Sequence, residues 1–362
     1  MSVGYVAVQW SKHKRIYDLC VVGGVLAYVG AFAAWSLATH RGTHAVSPEI
    51  LAIRATGSCA FAMLHVILCI GPLARLDRRF APILYNRRHL GVVTFLVALT
   101  HALIVTGFYH GFGVLNPLTS LLTSNTNFGS IREFPFEVLG LGGLAIMFVL
   151  AATSHDFWLK NLSARTWKSL HMMVYVAYAL LVGHVALGAL QGSTDWLGPG
   201  LVGVGFMVVV SLHWRAGGKE TRFDEMAAPQ TEPGWIDAGT ASDIPMDRAR
   251  IVCSKGGERI AVFRHKDGVS AITNVCAHQG GPLGEGKVID GCVTCPWHGW
   301  TYRPADGCAP PPFVEKITTH PVRITRGRVE VRVQGNAPGT PVEPAKVEAA
   351  TSGDAAPAEV SP

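Results

Sequence analysis

Six apolar segments fill most of the first 215 residues, and they restrict the fold of this chain more than any other feature. Each runs for roughly 17–25 residues, the length that a helix needs to cross the hydrocarbon core of a bilayer. Charged residues make up only 15% of the chain, whereas about 25% is usual in soluble proteins. The sequence therefore predicts an α-helical membrane bundle. The six predicted transmembrane helices lie near 18–38, 50–72, 90–110, 136–154, 169–190 and 198–214.

Lysine and arginine gather at alternate ends of these segments. Fourteen lie on one predicted side of the membrane and only Arg41, Arg54 and Arg132 on the other. Because cytoplasmic loops carry the excess of positive charge, both termini are predicted to be cytoplasmic. This topology accounts for the net charge of +6, and no nucleic-acid-binding motif is seen. The fourteen are Lys12, Lys14, Arg15, Arg75, Arg78, Arg79, Arg87, Arg88, Lys160, Arg165, Lys168, Arg215, Lys219 and Arg222.

The composition changes after the last apolar segment and predicts further divisions of the chain. Residues 215–234 contain Gly, Pro, Glu and Lys without clear periodicity and indicate a linker. Residues 235–334 show short β-branched runs between turn signals, typical of a small all-β domain. Residues 335–362 lack aromatics and are predicted to be a disordered tail. Residues 1–17 lack a cleavable signal pattern and form the predicted cytoplasmic N-terminus, which leaves 18–214 as the transmembrane domain.

Two short motifs in the predicted β domain carry metal-ligand chemistry. They are Cys276-Ala277-His278 and Cys295-Pro296-Trp297-His298, a C-x-H…C-x-x-H pattern. Two thiolates and two imidazoles suit a [2Fe–2S] cluster of the Rieske type, with cysteines on one iron and histidines on the other. Zinc also accepts two cysteines and two histidines. We therefore predict metal ligands at Cys276, His278, Cys295 and His298.

Four histidines lie inside the predicted spans, where ionisable residues are costly and mark functional sites by default. They are His65, His101, His171 and His184, and imidazole is a common axial ligand of haem iron. By depth, His101 and His184 share the outer half and could clasp one haem b. His171 lies near the inner surface, where His65 is the best candidate to face it and His89 is a rival. One or two haems, or hydrogen-bonded packing histidines, are compatible with the pattern.

The histidine segments resemble a known membrane family. Arg87-Arg88-His89-Leu90-Gly91 followed by His101, and Trp167-Lys168-Ser169-Leu170-His171 followed by Tyr175 and His184, resemble the ferric reductase-like transmembrane family. The likeness covers about residues 15–214 and is nearest to the haem-binding membrane subunits of bacterial periplasmic methionine sulfoxide reductase systems. It implies haem ligands at His101, His171 and His184 and gives no support to His65.

Residues 235–334 resemble the Rieske-type ferredoxins of aromatic-ring dioxygenase systems. The likeness rests on the run from Cys276 to Leu283 and on Cys295-Pro296-Trp297-His298-Gly299-Trp300. The flanking glycines and Pro310-Pro311-Pro312 match a cluster-covering loop, which favours the cluster over zinc. Respiratory Rieske proteins add a disulfide cysteine in each loop, where this chain has Gly281 and Trp297. The resemblance therefore implies the low-potential, ferredoxin-like subtype.

Together these features predict an oxidoreductase or electron-transfer component in the bacterial inner membrane, surrounded by lipid. A cytoplasmic flavoprotein reductase or ferredoxin-type donor would reduce the cluster, and electrons would pass through the haems to an outer acceptor. Ferric iron, oxygen, a quinone or a partner reductase are the acceptors that the sequence leaves open. Two alternatives also remain open: quinol-fed haems that reduce the Rieske domain to supply a cytoplasmic oxygenase, and a membrane redox sensor. No catalytic residue is predicted.

Overall fold

The chain divides into two compact units, Met1–Glu220 and Thr221–Pro362. We call them the helical unit and the β unit after their secondary structure. This division into a helical bundle followed by a small all-β domain confirms the predicted fold class. The computed structural model describes residues 12–39, 46–84, 86–162, 164–191, 196–278, 280–297, 299–311 and 313–347.

The helical unit contains ten α-helices in its described residues, the last of which runs on into the β unit. A 3₁₀ turn at Arg78–Phe80 precedes α3, and a π-helical turn at Thr106–His110 continues α4. The helices are Lys12–Thr39 (α1), Pro48–Leu76 (α2), Ala81–Leu84 (α3), Arg87–Val105 (α4), Pro117–Thr123 (α5), Phe136–Ala152 (α6), Asp156–Asn161 (α7), Ala164–His171 (α8), Val174–Leu187 (α9) and Leu197–Glu225 (α10).

Each of the six predicted spans coincides with helix. Five of these segments are long and apolar enough to cross a bilayer, and the shorter apolar helix α6 occupies the fourth predicted span. The fifth span is interrupted at Met172 and Met173, between α8 and α9. Large apolar side chains such as Leu19 and Leu201 are exposed on the outside of the bundle, as expected where lipid replaces water.

The interior of the bundle consists of small clusters of buried side chains from neighbouring helices. Leu64 and Leu68 of α2 pack with Tyr178 of α9 and Val209 of α10. Helices α2 and α4 run against each other, as do α6 and α9. These two helix pairs carry His101 and His184, which are described below.

The predicted linker at 215–234 is largely wrong. Helix α10 continues without interruption to Glu225, and a strand begins at Gln230. Residues 216–225 contain the good helix formers Ala216, Lys219 and Glu220, and Lys219 donates to the carbonyl of Arg75 at the end of α2. Only a short connection therefore separates the last helix from the first strand.

In its described residues the β unit holds three antiparallel sheets with the orders β1-β2-β11-β10, β3-β4-β5-β9 and β6-β7-β8. One buried cluster of side chains includes Ile236, Ile244 and Val262, and a second includes Phe263, Leu283 and Tyr302. The strands are Gln230–Glu232 (β1), Trp235–Thr240 (β2), Ala249–Cys253 (β3), Arg259–His265 (β4), Gly268–Thr273 (β5), Lys287–Ile289 (β6), Cys292–Thr294 (β7), Thr301–Tyr302 (β8), Thr319–His320 (β9), Val322–Thr325 (β10) and Arg328–Arg332 (β11).

The prediction of a disordered tail at 335–362 is wrong for residues 335–347. Val269 and Ala345 exchange two backbone hydrogen bonds of 2.9 Å, and the N–H of Val342 donates to the carbonyl of Ala305 at 2.7 Å. Composition misled the prediction because these contacts are made by the backbone, which any residue supplies. Residues 348–362 lie outside the described residues.

Candidate functional site

The first metal-ligand motif lies on a tight loop after β5. The N–H of Cys276 donates to the carbonyl of Gly281 at 2.9 Å, and the N–H of Gly280 donates back to the carbonyl of Cys276 at 2.7 Å. Gly280 has a φ of +71°, a left-handed conformation that glycine adopts without strain. The loop therefore fixes the position of Cys276 through its own backbone.

The second motif repeats this geometry between β7 and β8. The N–H of Cys295 donates to the carbonyl of Trp300 at 2.7 Å, and the N–H of Gly299 donates to the carbonyl of Cys295 at 3.0 Å. Gly299 also has a φ of +71°. Both cysteines thus occupy the same place in equivalent loops, as two thiolates that bind one centre require.

The two loops meet around buried sulfur atoms. The side chains of Cys276 and Cys295 belong to residues only 1% and 2% exposed. A Cβ atom added to Gly281 would lie 2.7 Å from Sγ of Cys295 and 3.2 Å from the Trp297 ring, so one loop packs closely on the other. Trp297 and Gly281 are the positions where the resemblance places disulfide cysteines, and here an indole ring packs on the glycine instead.

A buried tyrosine contacts the first cysteine. The hydroxyl of Tyr302, at the end of β8, lies 3.4 Å from Sγ of Cys276. Burial, followed by the neighbouring Cys276, raises the pKa of Tyr302, so the phenol keeps its proton. A neutral phenol can donate that proton to a thiolate.

An aromatic stack supports the first histidine. The rings of His278 and Trp300 are parallel within 5°, with centroids 4.2 Å apart, and Phe313 packs 4.2 Å from Trp300 on an inclined plane. Phe313 is 47% exposed and the following Val314 is 82% exposed. The stack therefore leads from His278 to the surface of the unit. His298, the fourth predicted ligand, lies outside the described residues.

In the helical unit, two predicted ligands come together. His101 of α4 and His184 of α9 have ring centroids 6.4 Å apart. Nδ1 of His101 donates to the carbonyl of Ile53 at 3.0 Å, and Nδ1 of His184 donates to the carbonyl of Phe136 at 2.9 Å. Each hydrogen bond fixes the tautomer and leaves the Nε2 lone pair for another partner.

Glycines on the neighbouring helices make room for both rings. A Cβ atom on Gly57 of α2 would lie 2.8 Å from the His101 ring, and one on Gly140 of α6 would lie 2.7 Å from Nδ1 of His184. Cβ atoms do not approach other atoms so closely without a shift of the neighbour. Because glycine has no side chain, these two positions leave space for the imidazoles where they are observed.

His171 lies at the end of α8 and does not face another imidazole in the described part of the bundle. Its Nδ1 donates to the carbonyl of Trp167 at 3.1 Å, and its ring stacks on the Trp167 indole at 3.8 Å. The Nε2 atom is buried and has no hydrogen-bond partner among the described residues. A buried polar atom without a partner is costly, so the site suits an additional ligand.

His65 is differently placed from the other three. Its Nδ1 donates to the carbonyl of Phe61 at 2.9 Å, and its Nε2 lies 3.0 Å from the hydroxyl of Tyr178. A Cβ atom on Gly205 would lie 2.8 Å from this Nε2. Both nitrogens of His65 are therefore occupied, and the structure does not bring His65 against His171.

Comparison with known proteins assigns each unit to a family. A model described as "Rieske [2Fe-2S] domain" matches residues 234–321, and one described as "Ferric reductase like transmembrane component" matches residues 56–182. The anthranilate 1,2-dioxygenase ferredoxin subunit of Burkholderia cepacia is 38% identical over 104 residues, which are 27% of this chain and 92% of that protein.

The chain joins a ferric reductase-like transmembrane domain to a Rieske domain. The helical part also matches the heme-binding subunit MsrQ of the protein-methionine-sulfoxide reductase from Polaromonas naphthalenivorans, with 27% identity over 177 residues, covering 49% of this chain and 74% of that subunit. A solved complex of reduced oxygenase and oxidized ferredoxin in carbazole 1,9a-dioxygenase aligns with 29% of this chain and 99% of the matched chain, at 26% identity and a TM-score of 0.28. The protein is a multi-pass membrane oxidoreductase or electron-transfer component.

The Rieske domain fits its cluster in the described residues. Two buried cysteines on equivalent loops supply the thiolates, and Tyr302 lies where it can donate to one of them. In the described part of the chain no three His, Cys, Asp or Glu side chains gather as a site for a single metal ion. His278 and His298 remain the predicted histidine ligands.

The ferric reductase-like domain also fits a haem at His101 and His184. Imidazole nitrogens bind first-row metals at about 2 Å, and a ring centroid lies about 1 Å behind its nitrogen. Two imidazoles on opposite sides of one iron therefore have centroids roughly 6 Å apart, close to the observed 6.4 Å. The donor set suits haem iron at this position.

Sequence reasoning missed several residues that shape these sites. Tyr302 lies two residues after the run that ends at Trp300, so its closeness to the second motif was a readable signal. Gly57 and Gly140 carried no such signal, because an isolated glycine in an apolar helix is common. Their role depends on which helices are neighbours, and the folded structure provides that information.

Proposed function

We propose that this protein moves electrons across the membrane, from the Rieske domain on the cytoplasmic side to an acceptor on the outer side. The observation that carries the proposal is the pair of facing imidazoles, His101 and His184, within the membrane domain of a chain that also holds a Rieske domain. The cytoplasmic position of the Rieske domain is supported by the charge bias of the loops, since cytoplasmic loops carry the excess of Lys and Arg.

A [2Fe–2S] cluster and haem b each accept and release one electron when bound. Cys276, Cys295, His278 and His298 would hold the cluster, and His101, His184 and His171 would hold haem. The backbone carbonyls of Ile53 and Phe136 orient two of these imidazoles, as second-shell partners do in other metal sites. The surrounding apolar helices exclude water from the membrane centres.

The donor and acceptor are proposed by class. A cytoplasmic flavoprotein reductase or ferredoxin-type protein suits the exposed Phe313 and Val314 near His278, because electron-transfer contacts are small and transient. The acceptor is ferric iron, oxygen, a quinone or a reductase on the outer side of a bacterial inner membrane. Both termini then lie in the cytoplasm.

The variant His278→Ala tests the order of transfer. The full-length protein is mixed in a stopped-flow spectrometer with photoreduced flavodoxin, a one-electron protein donor that does not enter the bilayer. We expect the wild-type cluster to bleach before the haems are reduced. In His278→Ala the haems should stay bound, but their reduction by flavodoxin should slow by an order of magnitude or more, while dithionite still reduces them.

Two cysteines of the same domain provide a matched pair of variants. Cys295→Ser should abolish the cluster spectrum, whereas Cys308→Ser should retain it, since Cys308 lies outside the two loops. Haem reduction by flavodoxin at the wild-type rate in His278→Ala would contradict the proposed order. A cluster potential clearly above both haem potentials would instead support flow from the membrane domain to the Rieske domain.

A further inference from the structure

We infer that His171 binds its haem alone, so that the sixth coordination position of that iron is open to a small exogenous ligand such as carbon monoxide. The inference rests on the proposed haem-binding function of the membrane domain. It goes beyond that function because it assigns the two membrane centres different coordination and different reactivity. The argument depends on the nitrogen atoms of five histidines in the described helices.

All five histidines are fixed in the same tautomer. Each donates its Nδ1 proton to a backbone carbonyl, so Nε2 carries the lone pair and its surroundings decide the role of the ring. The pairs are His65 with Phe61 at 2.9 Å, His101 with Ile53 at 3.0 Å, His171 with Trp167 at 3.1 Å, His184 with Phe136 at 2.9 Å and His213 with Val209 at 2.8 Å.

Two of these lone pairs are occupied by tyrosine. The hydroxyl of Tyr178 lies 3.0 Å from Nε2 of His65, and the hydroxyl of Tyr175 lies 3.0 Å from Nε2 of His213. Because the opposite nitrogen of each ring is the donor, the phenol must donate in both pairs. Both ring nitrogens of each histidine therefore make a hydrogen bond, and either histidine would have to break one of them to bind iron.

The remaining three histidines divide into a pair and a single residue. His101 and His184 face each other across 6.4 Å and account for one haem with two axial ligands. His171 keeps a buried Nε2 without a partner, and its ring is held by the Trp167 indole. His89, the rival candidate in the sequence, contacts Asp18 through Nδ1 at 2.8 Å. No described histidine within the membrane spans thus offers a second available imidazole opposite His171.

Two arginines, Arg87 and Arg88, begin α4. The Trp167 indole that stacks on His171 donates to the carbonyl of Thr153, the neighbour of Ser154. Arg88 donates to the carbonyl of Ser154 at 3.3 Å, and Arg87 lies beside Gly71. Haem b carries two carboxylates, and arginine is well suited to bind carboxylates in partly buried sites. Arg87 and Arg88 are therefore the candidate partners of those carboxylates.

Carbon monoxide is the probe that tests the coordination. It binds ferrous haem where a position is open and is excluded where two histidines hold the iron. In the purified full-length protein we expect one haem with a high-spin ferric electron paramagnetic spectrum that binds carbon monoxide on reduction. The second haem should be low-spin and unreactive. Two low-spin haems without carbon monoxide binding would overturn the inference.

Three variants separate this inference from the proposed function. His171→Ala should remove the reactive haem and keep the low-spin one, and His184→Ala should do the reverse. His65→Gln should change neither spectrum. If His65→Gln opens a haem to carbon monoxide, His65 is the sixth ligand and the inference is wrong, although the proposed function stands. If His171→Ala retains both haems, the proposed haem site at His171 itself fails.

Discussion

At the scale of single residues, the hydrogen-bond partner decides what a histidine can do. His171 and His65 have the same residue type and the same donor bond to a carbonyl one turn earlier. They differ in that Tyr178 occupies the Nε2 of His65. A partner of this kind cannot be read from a linear sequence, because the two residues are far apart in the chain.

The hydroxyl of Tyr302 should raise the potential of the cluster. It lies 3.4 Å from Sγ of Cys276, and a donor to a ligand sulfur stabilises the more electron-rich reduced state. Removing a hydrogen bond worth roughly 1 kcal/mol corresponds to about 40 mV for one electron. We expect Tyr302→Phe to lower the midpoint potential by tens of millivolts in a redox titration. An unchanged potential with an intact cluster spectrum would contradict this role.

The sequence predicted that His101 and His184 share one half of the membrane, and their rings lie 6.4 Å apart. Their role as haem ligands, like that of Cys276 and Cys295 as cluster ligands, stays a prediction. Ligands such as Cys276 and Cys295 lie in short motifs whose local spacing is also their spatial arrangement. His101 and His184 were found because depth in a bilayer can be counted from the charged ends of a helix. His65 was misplaced because depth alone does not say which way a side chain faces.

At the scale of helices, each imidazole of the facing pair is matched by a glycine on an adjacent helix. Gly57 of α2 backs His101 and Gly140 of α6 backs His184. Gly205 of α10 likewise leaves space for the ring of His65. Close approach of helix backbones through small residues is a general feature of membrane bundles, and here it leaves space for rings that are proposed to bind iron.

The glycine behind His184 gives a test with a control in the same helix. Gly140→Ala places a methyl group 2.7 Å from Nδ1 of His184, where the hydrogen bond to Phe136 must shift. Gly142→Ala places one 3.4 Å from the flexible Leu180 side chain. We expect Gly140→Ala to lose or perturb the low-spin haem in optical and electron paramagnetic spectra. Gly142→Ala should retain it, and equal spectra in both variants would count against the role of Gly140.

A short interruption lies between the two histidines of the fifth span. On one straight helix, His171 and His184 would point about 140° apart, since they are 13 positions apart at 100° each. At Met172 and Met173 two backbone hydrogen bonds close three-residue steps, from Met173 to Leu170 and from Tyr175 to Met172, in place of the regular α-helical pattern. A periodic apolar pattern does not reveal such a break, so the sequence predicted the span and missed its interruption.

At the scale of the whole molecule, the stability of the Rieske domain depends on pH through a buried histidine. His320 is fully buried, donates Nδ1 to the carbonyl of Arg332 and lies 3.9 Å from Glu258. Burial lowers the pKa of His320, and the Arg332 carbonyl and Glu258 only partly oppose it. The ring is therefore neutral in the folded domain.

This buried histidine should make the Rieske domain less stable in mild acid. An unfolded histidine has a pKa of about 6.5, so the unfolded state binds more protons below that pH, and stability falls as the pH decreases towards the lowered folded pKa. We expect the cluster's visible circular dichroism to be lost at a lower temperature at pH 5.5 than at pH 7.5. The difference in melting temperature between the two pH values should shrink in His320→Gln. If it does not shrink, groups other than His320 cause the loss of stability in acid.

The segment 335–347 should stabilise the Rieske domain although its composition suggests disorder. It closes over β5 and β9, with Ala345 bonded to Val269, the carbonyl of Thr340 bonded to the Thr319 hydroxyl, and Gly335 packed beside the His320 ring. A chain that ends after residue 334 loses these hydrogen bonds, each worth roughly 1 kcal/mol, and uncovers buried side chains. We expect its cluster signal to melt several degrees lower, as a loss of a few kcal/mol produces in a domain of about 100 residues.

A chain that ends after Val347 is the matched control and should melt like the full chain. Equal melting temperatures for the two truncated chains would show that these contacts contribute nothing to stability.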